Sequence, residues 1–238
     1  MIKKLRKKIL EISYKAKACH IGSALSCVEI ILAIDKVKKK KDIFLFGKAS
    51  GVSTYYCLLA EKGIIPENKL AYYLKYYPLA SKKVPGIIHS VGSVGHGLSV
   101  AVGLAFADKT RNVYCLISDG DLNEGSTWEA TLFASHHKLK NLIVVVDYNK
   151  LQACGKTEDI LDLDPLPAKF KAFNWDAVGV DGHDINKLKK VLTSSKKTAK
   201  IVIAKTLKGK GVDFLENSVH SHYKNLDSLL LNKALKQL

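Results

Sequence analysis

The sequence predicts an α/β fold with three layers, in which helices cover both faces of a mostly parallel sheet. Two continuous apolar runs, 113–117 and 142–146, are rich in β-branched residues, which is typical of strands buried on both faces of such a sheet. The stretch between them carries apolar or small residues at helical spacing, as expected for the crossover helix of a βαβ unit. These two strands and their connection define the fold class.

The other elements follow from the same two patterns. Helical spacing predicts helices over residues 2–17, 25–37, 52–62, 67–76, 96–109, 124–139 and 185–193. Short apolar runs with breakers nearby predict further strands at 43–46, 175–180 and 201–204. Strands that alternate with helices in this way form a sheet covered on both faces.

The chain has 238 residues, of which 47% are hydrophobic, and this is enough for one domain with a large core. We expect a single domain over 1–238, with a core over 1–211 and a C-terminal extension over 212–238 that ends in a helix. No apolar run approaches the roughly 20 residues that cross a bilayer, and the lysine-rich start lacks the apolar segment of a signal peptide. The sequence therefore predicts a cytoplasmic protein without a membrane partner.

Cysteine usage and charge narrow the functional classes further. The five cysteines are scattered without CxxC spacing, which favours reduced thiols. Lysine and arginine exceed the acids by 38 to 22, giving a net charge of +16. The basic residues are almost all lysine and no basic strand with interleaved aromatics accompanies them, so we predict no nucleic-acid partner. The excess indicates a solvated face, docking to an acidic partner, or attraction of phosphorylated sugars.

A polar residue follows each of the two central strands. Asp119 lies in the turn after the first strand, and Asn149 comes shortly after the second. Open α/β sheets bind ligands at the carboxyl ends of their strands, and Mg²⁺ is usually held by one or two protein oxygen ligands plus substrate phosphates. Either residue alone is ordinary loop chemistry, but the pair at neighbouring strand ends predicts a metal-diphosphate site.

Four motifs extend this pattern along the chain. They read CHIGSALSCVEI at 19–30, GSVGHGLS at 92–99, SDGDLNEGSTWEA at 118–130 and AKTLKGKG at 204–211. The Asp-Gly pair of the third motif, followed after a short helix by a strand-ending Asn, resembles the thiamine diphosphate signature. Together the motifs resemble the transketolase family over nearly the whole chain. The match corresponds to the amino-terminal third of a full-length member, or to the first subunit of a split two-chain form.

The resemblance implies a set of site residues. It assigns the metal to Asp119, Asn149 and the main-chain carbonyl of Leu151, with Mg²⁺ as the ion and Ca²⁺ or Mn²⁺ able to replace it. It assigns thiamine diphosphate to His20, Ser50, Gly92, Ser93, Val94, His96, Asp119, Gly120, Asp121, Glu124, Asn149, Lys208 and His222. It assigns catalytic roles to His20, His222 and Glu124. His222 is favoured over His220, and Glu124 matches an interface carboxylate but would also simply favour the dipole of the helix that follows it.

The same resemblance implies an activity and a partner. Family chemistry moves a two-carbon ketol unit from a ketose donor to an aldose acceptor, so we expect a transferase that acts on a phosphorylated or nucleotide-linked sugar. The pyrimidine-binding and C-terminal domains of the family would belong to a second subunit. We therefore expect an α₂β₂ assembly that is active only with this partner.

Three departures from the family pattern leave several functional hypotheses open. Ser50 stands where the family motif SKGHA has a histidine, the histidine of a GHP element has no counterpart around Pro78, and the segment 37–42 is shorter. A serine hydroxyl donates one hydrogen bond but does not share a proton near pH 7. The hypotheses are a split transketolase with weakened activity, a transketolase-like enzyme with an unusual donor such as a nucleotide sugar or a 2-oxo acid, and a non-catalytic scaffold subunit.

Overall fold

The computed structural model describes residues 1–195 and 197–238 and contains, within them, one five-stranded sheet. The strands are β1 (Ile43–Phe46), β2 (Val113–Ser118), β3 (Leu142–Tyr148), β4 (Asp176–Asp181) and β5 (Lys200–Lys205). All neighbouring strands are parallel, in the order β1-β2-β3-β5-β4. The predicted fold class is confirmed, and each predicted strand is present.

Helices occupy the connections between the strands. They are α1 (Ile2–Ala16), α2 (Ile21–Ser26), α3 (Val28–Val37), α4 (Ser53–Glu61), α5 (Leu70–Tyr76), α6 (His96–Ala107), α7 (Gly125–His136), α8 (Thr157–Leu161), α9 (Leu166–Ala172), α10 (Ile185–Thr193) and α11 (Ser228–Gln237). The single helix predicted over 25–37 is wrong, because the chain leaves helical geometry at Cys27 and forms α2 and α3 instead. Helices α8 and α9 were not predicted. Within the described residues, no helix is both long and apolar enough to cross a membrane.

The two faces of the sheet bury separate hydrophobic clusters. One cluster contains side chains of α1, α3, α4 and α10, and the other contains side chains of α6, α7 and α9. Strand β3 is buried along its whole length, with Ile143 and Val145 in the first cluster and Val144 and Val146 in the second. Burying one such side chain contributes about 1.5 to 3 kcal/mol. Burial on both faces explains why the strand reads as a continuous apolar run.

The register between β2 and β3 places the two strand-ending polar residues together. Ser118 is paired with Asp147, so Asp119 follows one residue later and Asn149 two residues after Asp147. The crossover between the strands contains α7. Both side chains therefore lie at the same edge of the sheet, as the sequence predicts.

The segment 212–238 packs on the face that holds α1. Val212, Leu215, Leu226 and Ala234 all belong to the cluster on that face. In addition, Arg6 Nε of α1 donates a hydrogen bond of 2.9 Å to the Lys210 carbonyl. These contacts hold the C-terminal segment against the first helix of the chain.

Candidate active site

A cleft of about 330 Å³, which we call the main cleft, lies at the carboxyl ends of β1, β2 and β3. It brings together ten of the predicted site residues, namely His20, Ser50, Gly92, Val94, Asp119, Gly120, Glu124, Asn149, Leu151 and His222. These residues come from loops and helix ends along the whole chain. The fold thus gathers the predicted motifs around one cavity.

Asp119 carries the clearest signature of a ligand at this cleft. The residue is only 2% exposed, and its Oδ1 accepts a hydrogen bond of 3.0 Å from the Gly120 N–H. Its Oδ2 is buried and has no hydrogen-bond partner among the described residues. Burial, with the nearby charge of Asp147, raises the pKa of Asp119 to about 7. A buried polar atom without a partner lowers the stability of the folded chain. This oxygen is therefore well suited to bind a cation.

Asn149 and Leu151 supply further oxygen atoms beside Asp119. Asn149 Oδ1 accepts a hydrogen bond of 3.1 Å from the Leu151 N–H, which fixes the side-chain amide toward the cleft. The Leu151 carbonyl accepts a hydrogen bond of 3.2 Å from Lys208 Nζ, so it already interacts with a cation. Within residues 1–195 and 197–238 no group of three or more His, Cys, Asp or Glu side chains is arranged to hold a metal. The predicted ligands are instead one carboxylate (Asp119), one side-chain amide (Asn149) and one main-chain carbonyl (Leu151).

A buried ion pair supports the floor of the cleft. Lys48 is 1% exposed and its Nζ pairs with Asp147, while also donating a 2.7 Å hydrogen bond to the Ser23 carbonyl. Burial alone would lower the pKa of Lys48, but the attraction of Asp147 outweighs it and raises the pKa above its usual range. Asp147 also accepts hydrogen bonds from the hydroxyls of Ser26 and Thr206. The pair therefore ties α2, the β1–α4 loop and the end of β5 to the central strand.

Lys208 provides a second buried ammonium group next to the cleft. Its Nζ donates to the carbonyls of Leu151 and Gln152 and lies 3.1 Å from His222 Nδ1. Burial, together with the charge of Lys48, lowers the pKa of Lys208 to about 8. Among the described residues no carboxylate lies within 4 Å of this ammonium. A cation held in this way suits an anionic ligand such as a diphosphate.

Two histidines from opposite ends of the chain meet at the mouth of the cleft. The rings of His20 and His222 pack edge to face with centroids 4.8 Å apart, and the His20 N–H donates a 2.8 Å hydrogen bond to the His222 carbonyl. Burial and the charges of Lys48 and Lys208 lower the pKa of His20. Burial and the charge of Lys208 lower that of His222 to about 3. Both imidazoles are therefore neutral near pH 7, and the buried His20 Nδ1 has no partner in the described part of the chain.

Asp121, one of the predicted cofactor residues, is held by hydrogen bonds from its own chain. Asp121 does not line the main cleft. Its Oδ1 accepts a hydrogen bond of 2.7 Å from the Gly95 N–H, and its Oδ2 accepts 2.7 Å hydrogen bonds from the N–H and hydroxyl of Ser118. Gly95 has φ 86°, and a Cβ there would lie 2.4 Å from Glu124 Cβ. Asp121 therefore fastens the glycine loop, residues 92–95, to the turn after β2 and holds it close to Glu124.

Three other predicted cofactor residues lie outside the cleft lining. Ser93 and His96 do not line the cavity, and His96 is exposed at the start of α6. Lys208 reaches the site indirectly, through its contacts with His222 and Leu151. The glycine loop contributes to the cavity through Gly92 and Val94 instead.

Sequence reasoning missed four residues that shape the site. Lys48, Gln152 and Tyr223 line the cleft, and Asp147 lies buried behind Lys48. The sequence shows only that Asp147, a charge within the buried strand β3, must find a partner; it does not show that Lys48 is that partner. Tyr223 adjoins His222, and the two ring centroids are 4.8 Å apart.

The fold and the site define a class of protein, an α/β domain with a polar cleft at the carboxyl ends of its parallel strands. A family model described as transketolase, thiamine diphosphate binding domain, matches residues 78–237. An apulose-4-phosphate transketolase subunit of Actinobacillus succinogenes is 40% identical over 99% of this chain and 94% of that protein. A 6-deoxy-6-sulfo-D-fructose transketolase subunit of a Clostridium species is 32% identical over 98% of this chain and 93% of that protein. The chain belongs to the transketolase family, which is a family of transferases.

A solved structure agrees with this assignment. Transketolase from Campylobacter jejuni superposes with a TM-score of 0.90 at 25% sequence identity, over 99% of this chain and 42% of that chain. The chain thus spans about two fifths of that enzyme. The predicted resemblance to the family is confirmed.

Proposed function

We propose that this chain is the diphosphate- and Mg²⁺-binding subunit of a split transketolase-type enzyme, which moves a two-carbon ketol unit from a ketose to an aldose. The observation that carries the proposal is the unpartnered, buried Oδ2 of Asp119 in a cleft that also receives Lys48. Support also comes from the names of the two subunit relatives described above.

In this proposal Asp119, Asn149 and the Leu151 carbonyl hold the metal. All three line the same cleft, and Mg²⁺ bound by so few protein oxygens completes its shell with water and phosphate oxygens. Gly120 also lines this cleft, and its lack of a side chain leaves the main chain of the turn accessible to a ligand. The ammonium group of Lys208, which has no carboxylate within 4 Å among the described residues, offsets part of the charge of the diphosphate.

Thiamine diphosphate, when bound, supplies the nucleophilic carbon and the electron sink for making and breaking carbon–carbon bonds. The chain's own residues position the sugar and handle its protons. His222 Nδ1 accepts a hydrogen bond from Lys208, which leaves its Nε2 to carry the proton and donate to a sugar oxygen. His20 Nδ1, buried and unpartnered among the described residues, is available to exchange a proton with a sugar hydroxyl.

The donor of this enzyme differs from that of ordinary transketolases in our proposal. Ser50 lines the cleft where the family motif has a histidine. A hydroxyl of the donor sugar would therefore contact the serine hydroxyl instead of an imidazole. The names of the two subunit relatives contain a 4-phosphate sugar and a sulfonated sugar. These names favour a small sugar with a terminal anionic group over a nucleotide sugar or a 2-oxo acid. Burying the unpartnered carboxylate of Asp119 costs about 1 to 3 kcal/mol. A scaffold subunit would gain nothing that offsets this cost, so a scaffold role is disfavoured.

The second subunit would carry the pyrimidine-binding and C-terminal domains, in an α₂β₂ assembly. Helices α6 and α7 offer a surface for subunit contact. Phe106, Leu132 and Phe133 are 44%, 55% and 43% exposed there, and the Phe106 and Phe133 rings pack together with centroids 5.4 Å apart. Apolar and aromatic side chains of this kind are enriched at the centre of protein interfaces.

Calorimetric titration of thiamine diphosphate tests the proposal. The cofactor is titrated with Mg²⁺ into this chain alone, and then into a mixture with a candidate subunit that carries the pyrimidine domain. We expect saturable binding that is lost when EDTA replaces Mg²⁺ and that tightens with the second subunit. Absence of binding in both titrations would overturn the proposal.

A further inference from the structure

A small cavity of about 10 Å³, which we call the turn cavity, adjoins the turn after β2. Its lining includes Asp119, which also lines the main cleft, together with Tyr148 and Thr157. A cavity needs roughly 10–15 Å³ to hold one water molecule. The turn cavity therefore has room for a single water molecule and for no larger ligand.

Thr157 places a buried hydroxyl without a protein partner in the lining of this cavity. The residue is 6% exposed, and its Oγ1 is buried and forms no hydrogen bond within residues 1–195 and 197–238. A buried hydroxyl without a hydrogen bond lowers stability, and a valine of nearly the same shape would avoid that cost. The hydroxyl therefore indicates a partner that is not a protein group.

Asp119 contributes a second buried oxygen to the same lining. Its Oδ2 also has no hydrogen-bond partner among the described residues. A carboxylate oxygen has two lone pairs, so Oδ2 can accept a hydrogen bond with one and bind a cation with the other. A water molecule between the two residues would accept a hydrogen bond from the Thr157 hydroxyl and donate one to Asp119 Oδ2.

Tyr148 offers a third partner for such a water molecule. It lines the turn cavity, and its hydroxyl already donates a 2.6 Å hydrogen bond to Asp164. The phenolic oxygen is thus left as an acceptor for the second proton of the water molecule. Buried water molecules typically form about three hydrogen bonds to otherwise unsatisfied groups, and the lining supplies this number.

Main-chain contacts fix Thr157 beside the predicted metal ligands. Its N–H donates a 3.0 Å hydrogen bond to the Lys150 carbonyl, and Leu151 forms an antiparallel bridge with Lys156. The segment 149–157 is therefore a tight hairpin that carries Asn149, Leu151 and Thr157 together. The turn cavity connects this hairpin to Asp119 of the neighbouring strand end.

We propose that an ordered water molecule in the turn cavity links the Thr157 hydroxyl to Asp119, and that Thr157 is thereby a positioning residue for this metal ligand. The water molecule is distinct from those that complete the shell of a bound metal in the main cleft. Its role in metal binding rests on the function proposed above. A hydrogen-bond partner of a ligating carboxylate fixes the orientation of that carboxylate, and its loss typically lowers metal affinity about 10- to 100-fold.

A crystal structure of the metal-free chain in EDTA tests the water molecule directly. We expect one ordered water within about 2.7–3.2 Å of both Thr157 Oγ1 and Asp119 Oδ2. In crystals of Thr157→Val this water should be absent or displaced from Asp119. A turn cavity without ordered water in the wild type, or a direct hydrogen bond between Thr157 and Asp119, would overturn the proposal.

Thermal melts in EDTA give a second, independent result. If the Thr157 hydroxyl had no partner in solution, Thr157→Val would remove a buried unsatisfied group and raise the Tm. We expect instead that the Tm of Thr157→Val is no higher than that of the wild type, because the valine also deprives the water molecule of a partner. A clear rise in Tm would refute the bridge.

Calorimetric titration of Mg²⁺ in the presence of excess thiamine diphosphate tests the positioning role. The affinity for Mg²⁺ should fall about tenfold or more in Thr157→Val, and Thr157→Ser, which keeps the hydroxyl, should stay within about a factor of three of the wild type. Thr131→Val is the matched control, since the Thr131 hydroxyl is equally buried but donates a 2.7 Å hydrogen bond to the Thr127 carbonyl. Thr131 lines neither cavity, so this variant should lower the Tm and leave the affinity for Mg²⁺ unchanged. An equal loss of affinity in both valine variants would overturn the positioning role.

Failure of the proposed function and failure of this inference give different results. A wild-type chain that shows no Mg²⁺-dependent binding of thiamine diphosphate, alone or with the second subunit, would refute the proposed function whatever the turn cavity contains. A chain that binds the cofactor with Mg²⁺ but has a dry turn cavity, or binds Mg²⁺ equally well as Thr157→Val, would refute this inference alone.

Discussion

The carboxyl group of Asp119 is buried beside Asp147, and its Oδ2 has no donor among the described residues. Two carboxylates that lie close together in a poorly solvated environment make each other's ionisation less favourable. A metal ion bound at this oxygen would relieve that cost, whereas the metal-free chain bears it. At this position a neutral side chain would favour stability of the metal-free protein, whereas a carboxylate would favour binding of the proposed metal.

We predict that Asp119→Asn stabilises the metal-free chain and removes Mg²⁺-dependent binding of thiamine diphosphate. The gain should be on the order of 1 to 3 kcal/mol, because an unpartnered buried charge becomes a neutral amide of the same shape. For a protein of this size that corresponds to an increase of several degrees in Tm, about 2–4 °C per kcal/mol. Thermal melts in EDTA and calorimetric titration measure the two effects.

Asp159→Asn is the control, because Asp159 is an exposed residue of α8. It should change neither the Tm nor the cofactor affinity. Normal metal-dependent binding in Asp119→Asn would show that Asp119 is not a metal ligand. A lower Tm for this variant in EDTA would contradict the electrostatic argument.

We predict that Lys48→Met destabilises the fold by about 3–5 kcal/mol, since the change leaves the fully buried Asp147 without its charge partner. Lys62→Met is the matched comparison. Lys62 pairs with Asp35, but its side chain is 43% exposed, so the expected loss is at most about 1 kcal/mol. Urea unfolding at pH 7 measures both values. Similar losses in the two variants would mean that the buried pair is not a special contributor.

Some residues of the candidate site can be predicted from the sequence and others cannot. Asp119 and Asn149 are predictable because each comes within three residues of the end of an apolar run, and parallel strands bring their carboxyl ends together. The pairing of Lys48 with Asp147 is not, because 99 residues separate the two partners. Asp121 shows a further limit, since residue type predicts an anion near a cofactor while the hydrogen bonds from Gly95 and Ser118 satisfy it locally.

At the level of elements, the start of α6 is pressed against the loop that follows β1. A Cβ added at Gly97 would lie 2.5 Å from Gly47 Cα and 2.9 Å from its carbonyl oxygen. Gly103, in the same helix, has no heavy atom within 4 Å of such a Cβ. The close approach of Gly97 to main-chain atoms positions the loop that carries Lys48.

We predict opposite effects for two glycine-to-alanine changes in α6. Gly97→Ala should cost about 1–3 kcal/mol or more, because main-chain atoms cannot rotate away from the added methyl group. It should also weaken cofactor binding, since Gly47 directly precedes Lys48. Gly103→Ala should stabilise the protein by roughly 0.5–1 kcal/mol through helix propensity. Urea unfolding and calorimetry test both; equal effects on stability would refute the packing argument.

Element prediction succeeds where one short pattern determines the structure and fails where a distant contact does. Each strand contains a short run that is mostly apolar, and the predicted ends lie within two residues of the observed ones. Helices α8 and α9 have only 5 and 7 residues, too few to show helical periodicity. The break between α2 and α3 follows Ser26, whose hydroxyl donates a 2.6 Å hydrogen bond to Asp147. Nothing within the 25–37 segment indicates that contact.

For the molecule as a whole, a buried network joins the N-terminal helix to the segment that carries Lys208. Glu29 of α3 pairs with Arg6 of α1 at 2.8 Å and lies 3.2 Å from His183 Nδ1. The Leu207 N–H donates a 2.9 Å hydrogen bond to His183 Nε2. Burial alone would raise the pKa of Glu29, but the hydrogen bond to His183 and the charge of Arg6 hold it below its usual range.

This network predicts a loss of stability in acid that depends on Glu29. A lowered pKa means that the folded state binds fewer protons than the unfolded state, so the stabilisation is complete above the unfolded pKa of about 4.3 and is lost as pH falls through the folded pKa. At pH 6 Glu29→Gln should cost about 3 kcal/mol, because Arg6 remains buried without its partner. The difference from wild type should shrink below about pH 4.

Urea unfolding between pH 3.5 and 6 measures this difference, with Glu11→Gln on the exposed face of α1 as the control. The control should follow the wild type at every pH. A gap between Glu29→Gln and wild type that stays constant down to pH 3.5 would exclude Glu29 as the source of the acid sensitivity.

The hydrogen bond from His20 to the His222 carbonyl has a consequence for synthesis of the protein. The two histidines lie far apart in the sequence, so this wall of the main cleft closes only after the chain has been translated through His222. Ligand binding stabilises only a state that can bind. A fragment that ends before His222 lacks this wall, so we expect the cofactor to stabilise such a fragment less than a chain that includes residue 222.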